Sequence, residues 1–401
     1  MLGIAVDGAT HGDFTHRIPL DGKERFHAEL SDAIAQIIHA MGQLNSTTQQ
    51  VAATGRTILA ERAVPVSGEP RDRRRSAMKV CVFGAGAVGG SLATRLLAAG
   101  ADDISVVARG PQLQAMRSRG LALRSGGTEL KAAVPVATDD PSTLPPQDLV
   151  LVTLKAHAVP GAAAAIARLL APGGSAVFML NGIQWWWRHG QSGPGGTLPL
   201  LDPEGALWRE VRPERTIGCV IYCPCELVEP GVISHVGSNH FILGEPDGSS
   251  SARLEQAVAM LRRGGIDGRA SNDLRRDIWG KLVSNASGNT IAALTRLDLG
   301  ALAADPDLCG QMVSVMEEVL AVAAALGWDL RGQMDLPAIA RRGTWGQRPS
   351  MLQDVLQGRP IEVEALFGQV HAFAHEAGVP VPAMDAMLPL LRGLGQSLRA
   401  R

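Results

Sequence analysis

The chain has 401 residues, 46% of them hydrophobic, and a formal net charge of −1. That length exceeds one ordinary domain, so two or three are expected, each able to bury a core. Near-neutrality excludes nucleic-acid binding as the main task, because a basic footprint is missing. Five cysteines without a repeating framework exclude a disulfide-stapled scaffold and fit a reducing cytoplasm.

The first segment, residues 1–77, opens with "GDFTHRIPLDGKERFHAELSDAIAQIIHAMGQL". Leu30, Ile34, Ile37, Met41 and Leu44 alternate spacings of four and three, the seam of a short coiled coil. A polar stretch and the basic run "RDRRRS" at 71–76 follow and read as a solvated linker. This segment resembles the region just downstream of the membrane-proximal module in bacterial chemotaxis receptors. The receptor's spans and signalling tip are missing, so no receptor function is expected. "MKVCVFGAGAVGG" at Met78 reads as a natural protein start, which makes the leading helical segment a fusion remnant or an over-long reading frame. No run of 18 or more apolar residues and no secretory pattern occurs, so neither a membrane span nor export is expected.

From Met78 to about Ala270, short apolar runs alternate with helical patterns: "KVCVFGAG", "AVGGSLATRLLAAG", "DISVVAR", "DLVLVTLK", "GAAAAIARLLA" and "SAVFMLNG". Strands alternating with helices predict parallel βαβ units. Cys219, Cys223 and Cys225 fall in "GCVIYCPCELV", but no second ligand pair follows at a regular spacing, so a buried strand and no metal site is expected. Residues 271–401 show helical periodicity without clear strands. The predicted fold is an α/β domain, 78–270, followed by an all-helical domain.

"VCVFGAGAVGG" is an apolar strand running into Gly84, Gly86 and Gly89 in G-x-G-x-x-G spacing, then a helix closed by Gly100. Gly84 permits a tight turn, Gly86 lets backbone approach a pyrophosphate, and Gly89 lets the helix pack close to the strand. With Ala85, Ala87 and Val88 between them, these residues are the candidate dinucleotide cradle. The next strand ends in Arg109, where an NAD-type site would carry an acid. An arginine there favours the 2′-phosphate of NADP.

Two later strand ends carry polar residues. "LVLVTLKAH" ends with Lys155 and "SAVFMLNG" with Asn181. A buried ammonium is costly without a partner, although a lysine just past a strand end on the surface is unremarkable; Asn181 before Gly182 suits a turn as well as a ligand contact. In the helical part, Ser350 and Gln353 read as a capping box, and Glu362 follows Pro360 where a carboxylate suits a first helical turn. "IWGKLVSNASGNTIAAL" puts Lys281, Asn285 and Asn289 on one helix face, each one turn after the last. Asparagine is an indifferent helix former, and the chain uses five lysines against thirty-three arginines, so the stripe calls for a reason.

"GAGAVG", "VTLKAH", "NGI", "WGKLVSNASGNTIAAL" and "PSMLQDVLQGRPIEVE" resemble, in order and spacing, the ketopantoate reductases (2-dehydropantoate 2-reductases) from about Met78 to Pro382. The resemblance implies a Rossmann-type domain joined to a helical one, with the active site between them, NADPH as cofactor and a 2-oxo acid as substrate. It implies that Lys281 is the catalytic lysine and Glu362 the acidic partner in the site. By the same resemblance Asn285 and Asn289 bind substrate, Ser350 meets its carboxylate, and Lys155 and Asn181 reach in from the nucleotide domain. Lysine fits the chemistry: an ammonium with a tunable pKa can hydrogen-bond the carbonyl oxygen and supply its proton, which a guanidinium cannot. Glu362 is expected to orient Lys281 or to bind a substrate hydroxyl. The pattern departs at Thr290, where the family commonly has proline, and at Trp185–Trp187, which suit a cleft lining, a core or an interface. The runner-up readings are a reductase of another 2-oxo acid and a non-catalytic NADP(H) sensor. A sensor has no need of Lys281, Asn285, Asn289 and Glu362 together. A homodimer is compatible with all of these.

Overall fold

A computed structural model describes residues 77–400 apart from 101 and 192–194. The predicted coiled-coil seam and basic linker lie outside the described residues.

The chain order is β1 (Lys79–Phe83), α1 (Ala87–Ala99), β2 (Asp103–Val107), α2 (Gly110–Arg119), β3 (Leu121–Ser125), β4 (Thr128–Ala132), β5 (Val136–Thr138), β6 (Gln147–Val152), α3 (Ala163–Leu169), β7 (Leu170–Met179), β8 (Thr216–Tyr222), β9 (Cys225–Glu229), β10 (Val232–His235), β11 (His240–Gly244), α4 (Ala252–Arg263) and β12 (Asp267–Ala270). Helices follow: α5 (Leu274–Thr295), α6 (Leu299–Ala304), α7 (Pro306–Ala325), α8 (Leu336–Arg341), α9 (Ser350–Leu356), α10 (Gln369–Ala377) and α11 (Pro382–Arg399). The first part is a Rossmann-like α/β domain and the second is all-helical.

The main sheet has eight strands in the order β12-β11-β8-β7-β6-β1-β2-β5. The apolar runs "VCVF" and "LVLV" form its centre because both faces are covered: Val80, Cys81, Val82, Val150, Leu151 and Val152 are fully buried. Strand order reverses between β1 and β6, so the crevice beyond their carboxyl ends is where ligands bind in such sheets. Six strands are parallel; β11 runs antiparallel to β8. The all-parallel expectation fails there because β9 and β10 replace a crossover helix, and antiparallel neighbours need none. Those two strands join β3 and β4 in a second sheet, order β4-β3-β10-β9. It packs on α1, so this helix has buried residues on more than one side, from Gly89 through Leu96.

Helix α5, roughly 33 Å long at 1.5 Å per residue, is the spine of the second domain. Asp273 caps its start by accepting from the Arg276 N–H at 3.1 Å. It packs against α7, α9 and the sheet strand β8. The apolar core on one sheet face continues through Ile278, Trp279 and Leu282 into the helical domain, so the two parts share one core. α7 is long and apolar enough to cross a membrane by length and composition, an outcome the run-length criterion did not anticipate. Its Met312, Val315, Met316, Val319 and Leu320 are instead buried in this core.

Trp185–Trp187 belong to that core too, not to the cleft. Trp187 meets Trp279 and Trp328 edge-on, both at 5.7 Å. The Arg275 guanidinium stacks over Trp186 at 5.3 Å and donates to the Trp187 carbonyl. Burial pushes its pKa down to about 10. The five cysteines are free thiols.

Candidate functional site

The glycine turn follows β1 directly. Gly84 has φ +105°, a conformation costly for any side chain, and its N–H donates to the Val107 carbonyl at 2.9 Å. A Cβ on Gly89 would overlap the Gly84 carbonyl oxygen and the Thr153 hydroxyl, so only glycine lets α1 start this close to the sheet. Thr153 donates its hydroxyl to that same carbonyl. Gly86 is different: a Cβ there would meet nothing within 4 Å. It is the N-cap of α1, has no side chain capping the helix, and no acid lies in the first turn. Open space before uncapped N–H groups at a helix start is a fit for a pyrophosphate. Ala85, Ala87 and Val88 complete this turn. Arg109 stands exposed between β2 and α2, as the N-cap of α2.

Lys281 reaches from α5 to the carboxyl ends of β7 and β8. Its ammonium donates to Asn181 Oδ1 at 2.7 Å and to the Ile221 carbonyl, and lies 5.3 Å from the centre of the Tyr222 ring. Burial pushes its pKa down to about 8. Asn181 follows β7, two strands from β1, so it sits roughly 10 Å across the sheet from the glycine turn at about 4.8 Å per strand. Gly182, φ +80°, closes that turn against α10's lead-in: a Cβ there would strike the Ala365 carbonyl, which accepts from Ile183 N–H at 2.8 Å.

Beside Lys281 lies a cavity of about 390 Å³ lined on one side by Tyr222, Lys281, Ser284, Asn285 and Asn289. Leu299, Met312, Met316, Met334 and Ile339 form an apolar wall, and Arg342 supplies a second cation. The volume is at the small end of the roughly 300–1,000 Å³ of ligand pockets. The polar stripe of α5 therefore faces a cavity. Asn289 also accepts from Met351 N–H at 3.4 Å, holding the first turn of α9.

Lys155, just past β6, makes ion pairs with Asp354 at 2.6 Å and Glu362 at 3.4 Å. Asp354 is 1% exposed and Glu362 6%. Burial works against the Lys155 charge, and the two carboxylates outweigh it, so its pKa is raised. Glu362 also accepts from Ala156 N–H at 2.8 Å, and Arg359 donates to Asp354 at 2.9 Å.

Several sequence expectations change here. The bonds of Glu362 go to Lys155 and Ala156, while Asn181 and the Ile221 carbonyl hold Lys281; Glu362 acts on Lys281 through its charge, which favours the ammonium, without a hydrogen bond. Glu362 precedes its helix, just before the π-helical turn Glu364–Gly368 that leads into α10. The Ser350–Gln353 capping box is not formed. Pro349 is the N-cap, Ser350 is the first helical residue, and Gln353 bonds back to the Arg348 carbonyl. Ser350 neighbours Pro349 on the cavity wall but makes no bond of its own there. Tyr222, Arg342 and Asp354 were not anticipated. A buried carboxylate in "SMLQDVLQG" was the available signal for Asp354; Tyr222, the only tyrosine of the chain, and Arg342 carried none.

Two family models match: Ketopantoate reductase PanE/ApbA over residues 80–248 and Ketopantoate reductase PanE/ApbA C terminal over residues 273–395. The chain belongs to the ketopantoate reductase family. It is thus an oxidoreductase of that family with an NAD(P)-binding Rossmann-type domain. It is 39% identical over 319 residues to a 2-dehydropantoate 2-reductase of Mesorhizobium japonicum, covering 79% of this chain and 98% of the relative. A crystal structure from Ralstonia solanacearum MolK2, provisionally named a ketopantoate reductase, superposes with TM-score 0.74 at 37% identity, covering 80% of this chain and 99% of that one. D-mandelate dehydrogenase, solved as a ternary structure with NADH and anilino(oxo)acetate, shares the fold at TM-score 0.68 and 20% identity, covering 80% and 100%.

Proposed function

We propose that the chain reduces the C2 carbonyl of 2-dehydropantoate to pantoate with NADPH, as the name of the Mesorhizobium relative suggests. The observation that supports this reading most strongly is the Lys281 ammonium beside a cavity lined by Asn285 and Asn289 and bonded to Asn181 at the end of β7, about 10 Å across the sheet from the glycine turn. NADPH, held at Gly84–Gly89 with Arg109 on its 2′-phosphate, supplies a hydride when bound. The residues of the chain do the rest. Lys281 donates a hydrogen bond to the carbonyl oxygen as negative charge grows there, then gives up its proton to it. Its pKa of about 8 leaves it charged at neutral pH and an easier donor than an exposed lysine. Asn181 and the Ile221 carbonyl aim the ammonium. Asn285 and Asn289 offer donor and acceptor to a substrate hydroxyl. Arg342 offers the substrate carboxylate a planar fork. Lys155, Asp354 and Glu362 tie β6 to the helical domain and fix the crevice width.

A second reading is favoured by the wall of three methionines. Methionine adapts to varied shapes, which suits a reductase of a bulkier 2-oxo acid. Oxidation of NADPH, with NADH for comparison, by 2-dehydropantoate and a panel of 2-oxo acids separates the readings. The expected result is the highest kcat/KM with 2-dehydropantoate and NADPH. A different acid ahead moves the substrate and leaves the reaction class; no oxidation with any acid removes the reductase reading.

A further inference from the structure

Away from the cleft, three side chains converge where α10 meets α11. His371 and His375 lie one turn apart on α10, and Asp385 lies in the first turn of α11. His371 Nε2 is 2.8 Å from Asp385 Oδ1, His375 Nε2 is 3.4 Å from the same oxygen, and the two Nε2 atoms are 3.2 Å apart. We infer that His371, His375 and Asp385 form a binding site for one divalent transition-metal ion of the zinc type, clamping α10 to α11.

The distances carry the inference. Ligand atoms about 2.0–2.1 Å from a tetrahedral ion lie about 3.3 Å from one another, and the three separations here bracket that value. Hydrogen bonding alone accounts for the trio poorly. If only one histidine carries its Nε2 proton, that proton must serve both the carboxylate and the other ring. If both do, two N–H groups confront each other at 3.2 Å. A cation instead accepts a lone pair from each of the three atoms at once. Two imidazoles and one carboxylate suit zinc and its neighbours, whereas magnesium and calcium prefer oxygen alone. His375 and Asp385 have side chains more than half exposed, so an ion can enter without unfolding, and a fourth position is open to water.

The site also has a structural consequence. The helical run that ends in α10 begins just after Glu362, so the clamp fixes one end of a rod whose other end carries a cleft carboxylate. His371 is roughly 14 Å along the axis from Glu362 at 1.5 Å per residue.

Tag-free protein stripped with chelator and titrated with zinc against a chromophoric competitor tests this. The expected result is one tight equivalent per chain and a higher melting temperature on loading. His375→Ala and Asp385→Asn, both at exposed positions, should keep the circular dichroism of the parent and lose that equivalent and the thermal shift. Cobalt substituted for zinc should give the strong visible bands of a low-symmetry tetrahedral ion in the parent only. No zinc bound by the parent overturns the inference; so does binding that both variants retain in full, which would place the ion elsewhere, for instance on the thiols.

Discussion

The glycine turn and the cavity face of α5 are built by opposite means. The turn works by subtraction. Gly84 supplies a backbone angle, Gly89 an approach that a methyl group would block, and Gly86 an empty place before α1. The α5 face works by addition: Lys281, Ser284, Asn285 and Asn289 are polar groups on a helix whose other faces are largely buried beyond its first turn. Subtraction tolerates almost no substitution, because any side chain occupies the space. Addition tolerates graded change, because each polar group contributes separately. The difference predicts how each half should fail.

The largest effect belongs to the turn. Gly89→Val should abolish dinucleotide binding and lower stability by about 3 kcal/mol or more, the scale of overpacking against rigid backbone. Isothermal titration with NADPH and urea unfolding measure both; a variant that binds normally would erase the contrast. Next comes the ion-pair tie between the halves. Asp354→Ala leaves Lys155 with Glu362 alone and frees Arg359, and should cost about 1–3 kcal/mol in urea unfolding, less than a fully buried pair because both cations are partly exposed. The smallest expected effect is Asn181→Ala. It removes one of two acceptors holding Lys281, and should lower kcat about 10-fold, roughly the worth of one hydrogen bond to a charged group, with little change in NADPH affinity.

The same contrast explains what was legible in the sequence. Subtraction leaves a spacing: three glycines after an apolar strand identify the turn, and the alternation of strands and helices identifies the sheet around it. Addition leaves only an anomaly, lysine and asparagines at helical spacing, and an anomaly does not name its contacts. The partners of Lys281 come from Asn181, a hundred positions away, and from a backbone carbonyl that no side chain advertises. Glu362 does not advertise its partner in the sequence either: it pairs with Lys155 because the segment entering α10 approaches the end of β6. The second sheet escaped notice because β4 and β9 are short and largely exposed, without the alternation that marks a half-buried strand. Trp185–Trp187 could not be assigned from local pattern: a run of three large rings is equally apolar in a cleft and in a core, and only Arg275 and Trp279, far along the chain, decide for the core.

The central claim is that the Lys281 ammonium, lowered to about 8 by burial, donates the proton. A lysine is charged below its pKa and neutral above it, so the donor is present at neutral pH and is lost as pH rises through about 8. The decisive measurement is kcat against pH for the parent and for Lys281→Arg, with NADPH affinity measured in parallel. The parent should lose turnover above about pH 8. The variant should bind NADPH normally, lose 10²–10³-fold in kcat by analogy with removal of an oxyanion donor, and show no descending limb in that range. Near-parental turnover in the variant, or the same limb with its midpoint unmoved, would contradict the assignment of Lys281 as the proton donor.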